Sequence, residues 1–222
     1  MAVLAIDTSG SYCSVALSST QGRVSVSSNT ANDHFERLPG IVSEALKRAS
    51  VSAEAVKEIR IGLGPGSFTG LRIGMSFAKG LACSLRIPVV GYSSLAAIAA
   101  RFFERGATTR SVVVLADARR EEVFVAKYTE GREEIAPCIV PSATLRGDPW
   151  RLGEADVSAV SPQADLELPG CVAVVETECA QGLLLLSPAS GGSFSVSEIS
   201  VIEPTYLRAI AAKTIAERKL GA

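Results

Sequence analysis

The chain has 222 residues, 22 basic and 23 acidic side chains, a net charge of −1, and 47% hydrophobic, 5% aromatic and 20% charged residues. That balance supplies a core for one large domain or two small ones and excludes a wholly disordered chain. Near-neutral charge and few aromatics exclude tight, unaided nucleic-acid binding. The lone histidine, His34, excludes any metal site built on two histidines, and a Ser-His-Asp triad would have to use it.

From the N-terminus, Val3 to Ile6 reads as a buried strand, and Asp7-Thr8-Ser9-Gly10 as a turn. Strands over Tyr12 to Leu17 and Arg23 to Ser28 complete a three-stranded meander. Asn32 and Asp33 are helix caps, with His34 beside them as a cap or surface residue. Phe35, Leu38, Val42, Ala45, Leu46 and Ala49 then recur at helical spacing. Pro39 either starts the regular helix or kinks it. A short strand within Val56 to Leu63 runs into the glycine-rich loop Gly64-Pro65-Gly66-Ser67-Phe68-Thr69-Gly70. A helix over about Leu71 to Leu85 follows, stopped by Pro88; Val89-Val90 begins a strand, and Ser93-Ser94 caps a helix to about Glu104.

Gly106 to Thr109 marks a boundary. Beyond it Val112 to Ala116 is a strand, Asp117-Ala118-Arg119-Arg120 a charged turn, and Glu122 to Tyr128 a returning strand. Strand, aspartate, tight turn, strand thus occurs at Asp7 and again 110 residues later at Asp117. Two halves, each led by a meander, predict a duplicated two-lobed α/β protein. From Pro141 to Pro204 the pattern is faint: Val172 to Val175 reads as a strand, Trp150, Gly153, Pro162 and Pro169 as loop punctuation, and Ser187 to Ser193 as an exposed segment. Tyr206 to Leu220 reads as a terminal helix. The expected organisation is a first lobe over 1–105, a second over 106–205, and a helix over 206–222 packing back on the first.

Five cysteines, an odd number without a CxxC pair, read as reduced thiols. The N-terminus lacks a basic n-region and no apolar run approaches a membrane span. Both features predict a cytoplasmic protein without a membrane role.

Three segments could carry function. Asp7, Thr8 and Ser9 could hold a phosphate or a magnesium-bound water, although a plain Asx turn uses the same residues. The loop 64–70 could present backbone N–H groups at a helix N-terminus. It is neither GxxxxGK[ST] nor GxGxxG, and the alternative use of the glycines is a tight turn or close backbone approach. The helix after it carries only Arg72, Lys79 and Arg86 as charges, in one stripe, while Gly66, Gly70, Gly74, Ala78 and Ala82 form a small-residue row. So little polar surface predicts cover on two sides, by the parent sheet and by either the helix over 35–49 or a second chain.

Leu4 to Ser9, Gly64 to Gly74, Lys79-Gly80-Leu81-Ala82, Pro88 to Gly91 with Ser93-Ser94-Leu95, Asp117 to Arg120 and Pro204 to Arg208 together resemble the TsaB (YeaZ) family. The resemblance implies an actin-like, Hsp70-like ATPase (ASKHA) fold of two related lobes. It also implies a non-catalytic subunit, with no catalytic residue and no metal site. Such a subunit binds the catalytic TsaD and, with it, the ATPase TsaE, during threonylcarbamoyladenosine (t6A) modification of tRNAs reading codons that begin with A. ATP and Mg2+ would be used by the partner subunits, with no cofactor for the isolated chain, and tRNA would be met only through the complex. Family members also form homodimers through much of the same helical surface. The implied partner or dimer interface joins Leu38 and Val42 to Phe68, Leu71, Arg72, Met75, Ala78 and Lys79, with Asp7, Thr8 and Ser9 as a vestigial phosphate loop. The competing expectation is an active ATP-dependent small-molecule kinase of the same fold, with Asp7, Thr8 and Asp117 arranging magnesium and phosphates.

Overall fold

The computed structural model describes residues 1–28, 34–146, 150, 157–161, 173–175 and 179–207. The expected caps Asn32 and Asp33 and nearly all of the terminal helix lie outside the described residues.

Strands β1 (Ala2–Asp7), β2 (Ser14–Ser19) and β3 (Gly22–Ser27) form the first meander, and α1 (His34–Arg48) follows. A 3₁₀ turn at Ala53–Ala55 leads into β4 (Val56–Gly62), α2 (Phe68–Leu85), β5 (Val89–Tyr92) and α3 (Ser94–Glu104). The second meander is β6 (Ser111–Arg119), β7 (Glu122–Thr129) and β8 (Arg132–Pro141). The remaining elements are β9 (Val157–Ser161), β10 (Ala173–Val175), the five-residue α4 (Cys179–Leu183) and β11 (Gly192–Phe194).

The first sheet has the order β11-β5-β4-β1-β2-β3 and the second β10-β9-β6-β7-β8. In each, the leading strand pairs antiparallel with its hairpin partner and parallel with the strand beyond the crossover. The half-chain repeat is therefore a repeat of topology, and the fold is the actin-like one of two related lobes. β1 lies inside the first sheet, with Leu4, Ala5 and Ile6 fully buried, which explains its unbroken apolar run.

Helices α1 and α2 cover one face of the first sheet, where Leu38, Val42, Ala45, Met75 and Ala78 meet Leu4, Ile6, Ile59 and Ile61. Helix α4 covers the other face beside Ala5 and Ala16, while α3 sends Leu95 and Ile98 onto the second sheet. The two short helices touch so closely that a Cβ on Gly182 would lie 1.9 Å from the Ala97 carbonyl oxygen.

Several expectations need correction. α2 begins three residues earlier than its periodicity predicts, because the Ser67 hydroxyl accepts the Gly70 N–H. It ends at Arg86 in the left-handed region (φ 57°), with Ile87 N–H donating to the Ala82 carbonyl. Of the two readings of Pro39, the structure agrees with the one that keeps it inside the helix, since α1 runs from His34 to Arg48. Trp150 is 4% exposed and packs with Leu145 and Val125, so it is core and not punctuation. The second lobe does not extend to residue 205 as a packing unit, since α4 lies on the first sheet and β11 pairs with β5. Among the described residues no helix is long and apolar enough to cross a membrane.

Candidate functional site

The end of β1 is closed by its own chain. Asp7 is 1% exposed. Its Oδ1 accepts the Ser9 N–H (2.9 Å) and the Ser9 hydroxyl (2.6 Å), and its Oδ2 accepts the Ser94 hydroxyl (2.7 Å). This is an Asx turn reinforced across the sheet. The glycine-rich loop and the end of β4 fill the space around it: Ser67 N–H donates to the Ser9 carbonyl, and a Cβ on Gly62, the last residue of β4, would lie 1.9 Å from Asp7 Oδ2. Cys13 is held as a neutral thiol, its pKa pushed up to about 12 first by burial and then by the Asp7 charge.

Asp7 and Ser9 commit their side chains to hydrogen bonds within the chain, which suits structure better than phosphate or magnesium binding, while Thr8 Oγ1 between them has no hydrogen-bond partner among the described residues. Among the described residues no group of three or more His, Cys, Asp or Glu side chains could hold a metal ion. Asp7→Ala is expected to cost about 3 kcal/mol or more, because it strands the Ser94 hydroxyl and both Ser9 donors in the interior. Asp7→Asn keeps one acceptor oxygen for the two Ser9 donors and presents an amide N–H to the Ser94 hydroxyl, which can turn to accept it, so it should cost less; urea unfolding of both variants checks the order.

The small-residue row of α2 has a different neighbour from the one its spacing suggests. A Cβ on Gly66 would lie 2.3 Å from the Ser9 carbonyl oxygen, and one on Gly74 2.2 Å from Thr8 Oγ1. At Gly66 and Gly74 the row lets α2 and the loop before it press on the Asp7-Thr8-Ser9 turn of their own chain. The interface expectation changes with it. Leu38 is 1% exposed, Val42 5%, Leu71 1%, Met75 5% and Ala78 0%, all inside this chain's core. At 3.6 residues per turn these positions face the sheet and are unavailable as contact side chains.

Phe68, Arg72 and Lys79 remain at the surface, tied along one edge of α2 to a returning segment. The Arg72 guanidinium lies 4.0 Å from the Phe68 ring centroid, and Arg72 Nε donates to Tyr206 Oη at 3.1 Å. The Phe68 and Tyr206 rings are 5.2 Å apart. Lys79 Nζ donates to the Ser200 carbonyl, and Thr205 N–H to the Leu63 carbonyl. Phe68 is 45% exposed and Val201 66%, an apolar exposure concentrated near this edge. Between this edge and α1, the exposed arc of α2 presents Thr69, Ser76, Gly80 and Cys83, all small and uncharged. No neighbour lies within 4 Å of a Cβ built on Gly80.

Two site residues have roles that periodicity does not reveal. Ser94, expected only as part of a cap, is the cross-sheet donor to Asp7, while Ser93 is the cap. Tyr206, expected to open a helix, lies in irregular chain against Phe68. The second turn carries left-handed backbone at Arg119, Arg120 and Glu121, with Arg119 N–H donating to Asp117 Oδ1 (2.7 Å), which is the same Asx geometry as at Asp7.

Residues 24–169, more than half of the chain, match the family described as TsaD, tRNA N6-adenosine threonylcarbamoyltransferase. The tRNA threonylcarbamoyladenosine biosynthesis protein TsaB of Escherichia coli is 37% identical over 136 residues, 58% of this chain and 55% of that protein. An uncharacterised protein of Mycobacterium leprae is 35% identical over 96% of this chain and 56% of its own length. The chain thus spans about half the length of the curated relatives it matches. A crystal structure of YeaZ from Pseudomonas aeruginosa superposes with a TM-score of 0.71 at 29% identity, covering 93% of this chain and 99% of that one. A second Pseudomonas aeruginosa structure, described as similar to peptidase YEAZ, gives 0.73 at 30% identity over the same shares. With the repeated sheet order and the Gly64–Gly74 loop, these matches lead to one conclusion: the chain belongs to the TsaD-related threonylcarbamoyladenosine family, in its TsaB (YeaZ) branch.

Proposed function

We propose that the chain is a non-catalytic subunit of t6A biosynthesis that docks the catalytic subunit TsaD on the exposed arc of α2 and, through that pair, engages the ATPase TsaE. The observation that carries this reading is the uncharged, small-residue arc Thr69, Ser76, Gly80 and Cys83, rimmed by the Phe68–Arg72–Tyr206 cluster. Small side chains let a partner helix approach closely, and aromatic and Arg side chains beside them are the residue types that anchor an interface once a partner covers them. The family match supports TsaD as the occupant, with a second copy of this chain as its competitor for the same arc. The protein would work in the cytoplasm and meet tRNA only through the assembled complex.

The Asp7 turn argues against the kinase alternative, because its carboxylate already accepts three internal hydrogen bonds. ATP and Mg2+ then belong to the partners' chemistry, and this chain needs no cofactor of its own. The test is reconstitution with TsaD and TsaE of the same organism, threonylcarbamoyl adenylate and tRNA. Omitting this chain should abolish modification, and the isolated chain should give no heat with ATP and Mg2+ in calorimetry. Full modification without it, or tight ATP binding by it alone, would refute the reading.

A further inference from the structure

One cavity, apart from the α2 arc, joins the two lobes. Its volume is about 470 Å3, and neither Asp7 nor Asp117 lines it. One wall is a ridge of α3 formed by Ala96, Ala100 and Phe103; Leu185 and Leu186, beyond α4, contribute further apolar lining. Spacing of three or four residues turns the α3 positions to one side of the helix, and the alanines leave the space that larger side chains would fill.

Both sheets contribute a tyrosine. Tyr92 ends β5 of the first sheet and is 2% exposed; Tyr128 lies near the end of β7 of the second and is 3% exposed. Both line the cavity, and neither hydroxyl has a hydrogen-bond partner among the described residues. Buried tyrosine hydroxyls normally find partners, because an unmet one forfeits its hydration. The Ser93 hydroxyl, which accepts the Ala96 N–H, is the polar side chain beside Tyr128 but completes no hydrogen bond with it. Burial raises the Tyr128 pKa well above the usual phenol range, so the group stays protonated.

The Arg60 guanidinium behind the Tyr92 ring, 5.5 Å from its centroid, is taken up by Glu58 and by the Leu183 and Leu186 carbonyls, and the charges on the cavity wall itself are acidic. Glu104 and Glu133 line it, and no Lys or Arg does among the described residues. Glu104 is already held by Arg23 and Arg101. Glu133 is exposed and makes no ion pair among the described residues. A phosphate or carboxylate ligand would meet uncompensated negative charge here. A purely apolar ligand would leave both tyrosine hydroxyls unmet. A short carbon body carrying an ammonium group answers all three features, since the ammonium can donate to a carboxylate and to phenol oxygens and is attracted by aromatic faces.

We propose that this interlobe cavity binds a small organic amine, with its ammonium toward Glu133 and the hydroxyls of Tyr92 and Tyr128 and its carbon body against Phe103 and the alanines of α3. Because the walls come from both lobes, an occupant fastens one lobe to the other and stabilises the chain by mass action.

The test is titration of the full chain with benzylamine, benzyl alcohol and benzoate, three probes of similar shape and different charge, followed by calorimetry and thermal unfolding. Benzylamine is expected to bind saturably and raise Tm, benzyl alcohol to bind about tenfold more weakly, and benzoate not to bind. Glu133→Gln and Tyr128→Phe should each weaken benzylamine by about tenfold. Tyr128→Phe should leave the free chain at least as stable as before, because it removes an unmet polar atom. If that variant does not fold, Tyr92→Phe takes its place beside Glu133→Gln. No saturation by benzylamine at about 10 mM, equal binding of all three probes, or unchanged affinity in the variants would overturn the proposal.

Discussion

Gly74→Leu is expected to leave the chain unfolded at room temperature, and Gly74→Ala to cost about 2 kcal/mol. A Cβ at position 74 would sit 2.2 Å from Thr8 Oγ1 and 3.2 Å from Thr8 Cγ2. Thr8 is fully buried, and its β-branched side chain has little rotamer freedom with which to retreat. To make room, α2 must move away from β1, opening the packing of Met75 and Ala78 against the first sheet. The helix propensity gained by removing a glycine, about 1 kcal/mol, is too small to offset this. The mechanism has its own control. Thr8 Oγ1 makes no hydrogen bond among the described residues, so Thr8→Ala alone should be cheap. The Thr8→Ala/Gly74→Ala double variant should then recover about 1 kcal/mol or more of the single variant's loss. Denaturant unfolding of the four proteins measures that coupling directly.

Gly80→Arg should do the opposite: keep the fold and lose the partner. Position 80 lies on the exposed arc of the same helix, with nothing within 4 Å of an added Cβ. Arginine is the better helix former by several tenths of a kcal/mol, so the isolated variant should melt no earlier than the parent. At a helix–helix contact, however, a long charged side chain holds two backbones apart and brings a charge that must be desolvated. Binding of TsaD should fall at least a hundredfold, the size expected when a central interface position is overfilled and a charge is buried unpaired. Cys83, exposed on the same arc, supplies a second readout. Partner binding should slow its labelling by a maleimide in the parent chain and leave it unchanged in Gly80→Arg.

The contrast between Gly74 and Gly80 shows how far the amino-acid sequence can be read unaided. The glycine and alanine row at spacing four is plain in the letters, and so is its meaning, close approach. Which neighbour approaches is not, because Thr8 and Ser9 reach α2 only after β1 and β4 pair in register. The same limit applies to Leu38, Val42, Leu71, Met75 and Ala78, where periodicity finds one apolar face but does not say that the parent sheet consumes all of it. The first 128 residues are legible because their helices and meander strands are long enough to show a period, and the Asp7–Asp117 repeat carries over into matching sheet orders; β5, four residues long, is read instead from the Pro88 stop before it. Beyond Pro141 the elements are short: β9 has five residues, β10 and β11 three each and α4 five. Elements of that length have no period to detect and take their form from tertiary contact, as Gly182 does from the Ala97 carbonyl and β11 from β5. Tyr206 is missed for a related reason: its neighbours have helical propensity, but its ring is held by Phe68, far away in sequence.

Sedimentation velocity of the parent chain and of Gly80→Arg, each mixed with TsaD of the same organism, is the most direct measurement of whether the exposed arc of α2 exists to receive a partner. The parent should move with TsaD as a single faster boundary, and the folded variant should sediment alone. A variant that still co-sediments with TsaD at parental affinity would contradict the assignment of this face.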